Sequence, residues 1–232
     1  MDKREIAAMG VCAIVVAAGA SRRMQGTDKI LAALGDRPVL AWSVQALENC
    51  VRVDRIILVI SPTNIEPVRR LVAAQKWSKV TGICPGGQRR QDSVAAGLQL
   101  AGPCEWVIIH DGARPFLSRE LIENGLDAAR TSGAAVAAVP VTDTIKIADG
   151  NQMVIETPDR HYLWAVQTPQ VFRSEMLKAA YAHNPGDVTD DASLVEMAGG
   201  TVRLYAGSPA NIKITTPHDL AVAELWRKEY DG

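Results

Sequence analysis

The sequence contains little that would direct the chain to a membrane, to nucleic acid or into a secretory route. No apolar run approaches the roughly 20 residues needed to span a bilayer. The first ten residues, MDKREIAAMG, include acidic residues and have no apolar signal core. The formal net charge of −1 gives no bulk attraction to nucleic acid or anionic lipid. We therefore expect no signal or transit peptide, no membrane or nucleic-acid partner, and a cytoplasmic location.

Cysteine is scarce, and its spacing excludes the common cysteine-based sites. The four cysteines form no CxxC pair, which predicts buried free thiols rather than zinc ligands or disulfides. No His/Cys spacing suits a metal, and no histidine is paired with a serine or cysteine in a way that suggests a nucleophilic triad. Any chemistry is therefore expected to depend on positive charge and on positioning.

Short apolar runs alternate with helical patterns along most of the chain. The runs at 11–17, 55–60, 79–83, 105–111 and 134–141 predict strands, with helices between them. This alternation predicts one α/β domain over residues 1–232, with a Rossmann-like, mostly parallel sheet flanked by helices. Ligands bind such sheets at the carboxyl ends of the strands. The loops at 18–29, 85–92, 111–116 and 140–144 are therefore the places to look for a site.

The alternation stops after residue 141, where the sequence predicts a hairpin. The segment DTIKIADGNQMVIE has two strand-like runs joined by Asp149-Gly150, which favours a type I′ turn. An isolated hairpin is only marginally stable, so another surface should cover it. Either a second subunit or the hairpin's own domain could do so.

The C-terminal part returns to alternating elements. TVRLYA and NIKIT, at 201–206 and 211–215, predict strands, and Pro217 begins a helix capped by Thr216. Asp190 and Asp191 are predicted in the first turn of an earlier helix, where acidic side chains complement the helix dipole.

The loop after the first strand reads AAGASRRMQGTDK and has neither a GxGxxG nor a Walker A pattern. Its small residues would let backbone N–H groups approach an anion, and Arg22, Arg23 and Lys29 add full positive charges. This arrangement suits a triphosphate. The alternative is a solvated surface loop that happens to be basic.

Three further segments carry candidate residues, each with a plain structural alternative. PGGQRRQDS, at 85–93, could bind phosphate or form an ordinary capped turn. In HDGARP, Asp111 could bind a metal or hydroxyls while Arg114 holds a phosphate, or the two could form an ion pair that shapes the turn. Lys213, in NIKIT, could bind phosphate or protect a sheet edge. Nucleotidyl transfer is a reaction that needs such positive charge and no protein nucleophile.

Seven segments, in one order, resemble the 2-C-methyl-D-erythritol 4-phosphate cytidylyltransferases. They are AAGASRRM…K, GGQRRQDS, HDGARP, PVTDTIK, DR…LWAVQTPQ, TDDAS and NIKIT. The resemblance extends from about Val11 to the last helix. It implies transfer of the cytidylyl group of CTP to 2-C-methyl-D-erythritol 4-phosphate with Mg²⁺, in the non-mevalonate route to isoprenoid precursors.

The resemblance also implies roles for individual residues. Arg23 and Lys29 would stabilise the transition state at the α-phosphate, and Lys213 would orient the attacking phosphate. The residues implied in nucleotide binding are Ala17, Ala18, Gly19, Gly87, Arg90 and Ser93. Those implied in contact with the substrate or the metal–ribose region are Asp111 and Arg114. Thr168 and Thr189 match further positions near the cleft.

The hairpin, at about 141–165, resembles the dimerisation arm of the family. The resemblance therefore implies a homodimer in which Thr144 and Arg160 act in the partner's site.

Three other functions compete with this interpretation. A cytidylyltransferase for another polyol phosphate, such as ribitol 5-phosphate, would share the CTP loops and differ mainly around the arm and residues 140–168. A regulatory nucleotide-binding module would not need both Arg23 and Lys29. A nicotinamide-dependent dehydrogenase is disfavoured because the first strand–helix turn lacks GxGxxG.

Overall fold

The computed structural model describes residues 10–24, 28–183 and 186–230. The N-terminal segment and Gly26 of the basic loop lie outside this range, as does the end of the predicted domain. Within it, no helix has the length and apolar character needed to cross a membrane.

Seven strands form the main sheet and four short ones form two separate pairs. In chain order the strands are β1 (Val11–Ala17), β2 (Ala33–Leu34), β3 (Arg37–Pro38), β4 (Arg55–Ile60), β5 (Val80–Pro85), β6 (Trp106–Asp111), β7 (Ala134–Pro140), β8 (Ile147–Ala148), β9 (Val154–Glu156), β10 (Trp164–Arg173) and β11 (Arg203–Ala206). The main sheet has the order β11-β7-β10-β6-β1-β4-β5, while β2 pairs with β3 and β8 with β9. Among the described strands of the main sheet, β10 alone runs antiparallel to its neighbours.

Helices cover both faces of the main sheet. They are α1 (Val39–Asn49), α2 (Ile65–Gln75), α3 (Arg90–Ala101), α4 (Arg119–Ser132), α5 (Ser174–Ala182), α6 (Asp191–Met197) and α7 (Pro217–Tyr230). Alternate residues of β1 point to opposite faces, so Val15 packs with α1, α2 and α4 while Ile14 packs with α3, α5 and α6. The predicted fold, one α/β domain with a mostly parallel sheet between helices, is therefore confirmed.

Gly97 lets α3 approach the sheet closely. A Cβ atom at this position would lie 2.5 Å from Cγ2 of Ile14 on β1, well inside van der Waals contact. The close packing of α3 brings its first residue, Arg90, to the carboxyl end of the central strands.

Most predicted elements are present, and two predictions are wrong. NIKIT is not a strand: the amide of Ile214 donates to the carbonyl of Ala113, but no ladder follows. The alternating isoleucines instead enter an apolar cluster with α7. The hairpin does not close with a type I′ turn, since the Asp149 carboxylate accepts from the amides of Asn151 and Met153, and Gln152 takes the positive φ.

The segment around β8 and β9 is separate from the main sheet and is almost entirely exposed. It carries large apolar side chains that the other described residues leave exposed. They include Met153, Val154, Ile155 and Tyr162, of which Tyr162 is 83% exposed. This exposed apolar surface has the character of a surface that another molecule covers.

Candidate active site

Two adjoining clefts lie at the carboxyl ends of β1 and β6. The first cleft has a volume of about 720 Å³, and the second about 430 Å³. Predicted residues that line the first cleft are Ala17, Ala18, Gly19, Lys29, Gly87, Arg90, Ser93, Asp111 and Lys213. Those that line the second are Arg90, Asp111, Arg114, Thr168, Thr189 and Lys213. Arg90, Asp111 and Lys213 therefore stand where the two clefts meet.

Asp111 is the centre of a cluster of cations. Its Oδ2 atom lies 2.8 Å from Nζ of Lys213 and 3.6 Å from Nε of Arg114, and its Oδ1 atom lies 3.4 Å from Nε of Arg90. Burial alone would raise the pKa of Asp111, but the positive charges of Lys213 and Arg90 outweigh it and hold the pKa well below its usual range. The carboxylate is thus a fixed negative charge that aligns the cations around it.

Small residues form the wall of the first cleft opposite this cluster. A Cβ atom on Gly86 would lie 2.2 Å from Cβ of Ala18, so the loops after β1 and β5 can meet only with glycine here. Ser93 fixes the second loop, because its hydroxyl accepts from the amide of Gly87 at 3.1 Å and donates to the carbonyl of Arg89 at 3.2 Å. The two loops therefore pack closely, and the wall that they form is rich in backbone groups.

Lys29 faces the first cleft from the loop after β1. Burial lowers its pKa, and the positive charge of Lys213 lowers it further. A Cβ atom on Gly19 would be 3.5 Å from Nζ of Lys29, which leaves the ammonium group beside the glycine backbone. The positive charges of Lys29 and Lys213 repel each other in the first cleft, and a bound anion would offset this repulsion.

Behind the cluster, His110 joins the turn that follows β6 to β10. Its Nε2 atom lies 3.2 Å from the carbonyl of Arg114, which can only accept, so Nε2 carries the proton. Nδ1 then accepts from the hydroxyl of Thr168 at 3.1 Å, and that hydroxyl accepts from the amide of Asp111 at 3.0 Å. The neutral imidazole thereby fixes the start of the Asp111–Arg114 turn against β10.

We expect acid to destabilise the fold through His110. Burial lowers its pKa from the ordinary value of 6.5 to about 4, so its contribution to stability is complete above pH 6.5 and is lost as the pH falls towards 4. The free energy of unfolding in urea should drop by about 2 kcal/mol between pH 7 and pH 5 from this group. A His110→Gln variant should lose this part of the pH dependence, whereas the exposed His161→Gln should keep it. Identical pH profiles for wild type and His110→Gln would contradict the assignment.

The comparisons with known proteins identify the family. The sequence model described as 2-C-methyl-D-erythritol 4-phosphate cytidylyltransferase matches residues 11–229. The chain belongs to this family. The cytidylyltransferase of that name from Dehalococcoides mccartyi (strain CBDB1) is 48% identical over 219 residues, which cover 94% of this chain and 96% of that protein. The one from Caldanaerobacter subterraneus subsp. tengcongensis is 44% identical over 227 residues, with 95% and 100% covered.

Solved structures of cytidylyltransferases agree with the fold. The 4-diphosphocytidyl-2C-methyl-D-erythritol synthase from Anaerococcus prevotii DSM 20548 superposes with a TM-score of 0.84 at 32% identity, covering 94% of this chain and 98% of that one. The 2-C-methyl-D-erythritol 4-phosphate cytidylyltransferase from Thermus thermophilus gives a TM-score of 0.77 at 32% identity, with 95% and 100% covered.

Three residues implied by the cytidylyltransferase resemblance lie outside the lining of the two clefts. Arg23 is exposed in a short 3₁₀ turn, although its charge is close enough to lower the pKa of Lys29. Thr144 and Arg160 are exposed in the segment between β7 and β10, where a guanidinium nitrogen of Arg160 donates to the carbonyl of Thr142 at 2.9 Å. Within a single chain, neither of these arm residues belongs to the site.

The clefts offer only a minimal protein site for the magnesium ion that the cytidylyltransferase family implies. In the part of the chain that the structure describes, no group of three or more His, Cys, Asp or Glu side chains could hold a metal. Asp111 offers one ionised carboxylate, and among the described residues the polar contact of its Oδ1 atom is the one to Arg90, at 3.4 Å. Mg²⁺ is commonly held by one or two carboxylates together with substrate phosphates and water. The residues fit an ion that is bound mainly by a triphosphate.

Sequence reasoning missed several polar residues that support this cytidylyltransferase site. Asp191 was predicted only to complement a helix dipole, but it is 1% exposed and accepts from Nη1 of Arg90 at 2.7 Å. Asn211 is fully buried, donates to the carbonyl of Thr168 at 2.7 Å and accepts at its own carbonyl from Arg114 at 2.6 Å. Both residues belong to segments quoted for the resemblance, TDDAS and NIKIT, which is the one signal that points to them.

Proposed function

We propose that this chain transfers the cytidylyl group of CTP to 2-C-methyl-D-erythritol 4-phosphate, giving 4-diphosphocytidyl-2-C-methyl-D-erythritol and pyrophosphate, in non-mevalonate isoprenoid precursor biosynthesis. The observation that carries this proposal is the cluster of Lys29, Arg90, Arg114 and Lys213 around the ionised Asp111, in a chain that its family model matches almost throughout. The two clefts provide room for two substrates, one on either side of the cluster.

The reaction needs charge stabilisation more than acid–base chemistry. An oxygen of the acceptor phosphate attacks the α-phosphorus of CTP, and the bond from that phosphorus to the bridging oxygen breaks as pyrophosphate leaves. A phosphate monoester is already ionised near neutral pH, so no protein base has to activate it. The protein must hold the two substrates in line and stabilise the negative charge on the transferring and leaving groups.

We assign the first cleft to CTP and the second to the polyol phosphate. The narrow wall built from Ala17, Ala18, Gly19, Gly87 and Ser93 suits a nucleotide whose phosphates approach backbone N–H groups. The second cleft contains the buried acceptor Gln170 Oε1, which has no hydrogen-bond partner among the described residues, and this supports a substrate that carries hydroxyl groups. Thr168 and Thr189 add further polar groups there.

We assign the positively charged side chains to different parts of the two substrates. Lys29, helped by Arg23, stabilises charge at the α-phosphate, and Arg90 holds the nucleotide. Lys213 orients the acceptor phosphate, and Asp111 fixes Lys213 at 2.8 Å. Asp111 and the triphosphate would hold Mg²⁺, which neutralises phosphate charge when it is bound.

We further propose a homodimer formed through the arm, in which Thr144 and Arg160 complete the partner's site. The exposed apolar side chains around β8 and β9 support this arrangement, because a second copy would bury them. We assign the enzyme to the cytoplasm, in agreement with its free, mostly buried cysteine thiols, which suit a reducing compartment.

Release of pyrophosphate from CTP in the presence of Mg²⁺ tests the function directly. We expect turnover with 2-C-methyl-D-erythritol 4-phosphate and, with ribitol 5-phosphate at the same concentration, at most about a hundredth of that rate. Omission of the acceptor is the control for CTP hydrolysis. Turnover with ribitol 5-phosphate alone would retain the nucleotidyl-transfer mechanism and assign the protein to another polyol phosphate. CTP binding without turnover on either acceptor would favour a regulatory module.

A further inference from the structure

Arg90, at the junction of the two clefts, is held by a carboxylate outside the cation cluster. Its Nη1 atom donates to Oδ2 of Asp191 at 2.7 Å, while its Nε atom faces Oδ1 of Asp111 at 3.4 Å. The Asp191 side chain is 1% exposed, and a charge that is so buried is tolerated only when other groups pair with it. Of the two contacts of Arg90, the one to Asp191 is the shorter, and it supplies the pairing that the buried carboxylate needs.

Asp191 is itself fixed from the opposite side. The hydroxyl of Tyr181, on α5, donates to Oδ1 of Asp191 at 2.5 Å, so both carboxylate oxygens have a partner. Asp191 begins α6, Arg90 begins α3 and Tyr181 lies near the end of α5. These contacts therefore join the ends of three helices. We call this series of contacts, Tyr181–Asp191–Arg90–Asp111, the arginine relay.

The arginine relay leaves one edge of the guanidinium available. Among residues 10–24, 28–183 and 186–230, Nη2 of Arg90 has no hydrogen-bond partner, while Nη1 and Nε both face carboxylates. Without Asp191, the guanidinium would turn towards Asp111, which also binds Lys213. Asp191 thus holds Nη1 of Arg90 away from Asp111, whose Oδ2 atom binds Lys213.

We propose that Asp191, oriented by Tyr181, is a positioning residue that holds Arg90 ready to bind the CTP molecule. The proposal rests on the proposed function, because it assumes that the first cleft takes a nucleoside triphosphate. Asp191 does not line the cleft and acts only through Arg90.

The test measures the dissociation constant for CTP with Mg²⁺ by calorimetry, together with kcat and KM from pyrophosphate release. Asp191→Asn should weaken CTP binding by about tenfold or more, because it removes a charged partner of Arg90. Tyr181→Phe should weaken it by about threefold, since it removes one hydrogen bond and retains the ion pair. In both variants KM for CTP should change more than kcat.

A neighbouring pair supplies the matched control. Asp187 accepts from Nη1 of Arg89 at 2.6 Å, but its side chain is 79% exposed and lines neither cleft. Asp187→Asn also removes a carboxylate partner of an arginine that lines the first cleft, but Arg89 keeps its ion pair with Asp92, so CTP affinity should be unchanged. An equal loss in Asp187→Asn and Asp191→Asn would overturn the proposal, because it would indicate a general effect of charge.

A double-mutant cycle separates positioning from a role in the fold. In an Arg90→Gln background, Asp191→Asn should cause no further loss of CTP affinity, because the group through which it acts is absent. A full, additive loss in that background would overturn the proposal. If Asp191→Asn does not fold, Tyr181→Phe tests the proposal instead. Unchanged CTP affinity in Tyr181→Phe would then overturn it.

The wild-type protein distinguishes failure of the proposed function from failure of this inference. Wild type that binds CTP but releases no pyrophosphate would count against the proposed reaction and leave the binding test of Asp191 intact. Wild type that does not bind CTP would overturn both. Wild type that is active, with variants that bind CTP normally, would overturn the inference alone.

Discussion

Replacement of Lys29 by alanine is expected to lower kcat by about 10²- to 10³-fold while changing CTP affinity by less than about tenfold. Burial and the charge of Lys213 already lower the pKa of Lys29, so its ammonium group is poorly stabilised by the protein alone. It gains most where additional negative charge develops, which is at the α-phosphate during transfer. The measurement is kcat from pyrophosphate release, combined with a calorimetric dissociation constant for CTP.

Lys228→Ala is the control for this prediction. Lys228 is an exposed lysine on α7, and neither cleft includes it, so both parameters should remain at the wild-type values. A Lys29→Ala variant with normal kcat and greatly weakened CTP binding would assign Lys29 to ground-state binding. Such a result would leave the family assignment untouched and remove the transition-state role.

Mixing two inactive variants is expected to restore activity if the arm completes the partner's site. Arg23→Ala removes a positive charge that lies near Lys29 of the same subunit, and Arg160→Ala removes a group that would act in the partner's cleft. Each homodimer should lose about 10²-fold in kcat. An equimolar mixture that exchanges subunits at random should recover about a quarter of wild-type activity, because half of the dimers then contain one intact site.

A second mixture is the control for subunit exchange. Arg23→Ala mixed with Lys29→Ala should recover nothing, since each residue is assigned to the site of its own subunit and neither site of a mixed dimer is intact. The mixed dimers should be verified by purification with two different affinity tags. Verified mixed dimers of Arg23→Ala and Arg160→Ala that remain inactive would rule out the exchanged arrangement.

The parts of the fold that could be predicted are those in which local pattern and burial agree. VCAIVVA and RIILVI are continuous apolar runs, and both are central strands with helices on either face. The sequence does not predict the antiparallel β10 as a strand, because its first three residues are exposed and the next six are buried, which gives no single period. NIKIT has a strand-like alternation, but it packs against α7 and has no partner strand.

The candidate site could be predicted where a residue ends a strand, as Asp111 does, or lies within two residues of its end, as Gly19 does, since the topology of the sheet brings such residues to one edge. The supporting residues could not be predicted in this way. Asp191 and Tyr181 reach Arg90 from helices that come much later in the chain, and no local pattern encodes such a contact. His110 depends on Thr168 in a neighbouring strand for its contact, and no local pattern encodes that pairing either.

The course of β10 bears on how this enzyme could come to use other acceptor substrates. The strand leaves the arm at Trp164 and lines the second cleft from Val166 onwards, so one continuous stretch carries both the surface assigned to the partner and part of the acceptor side. The loops after β1 and β5, which form the wall of the other cleft, belong to a different half of the sheet. A graft of residues 141–168 from a homologue is therefore a compact route to altered substrate choice with the nucleotide chemistry retained.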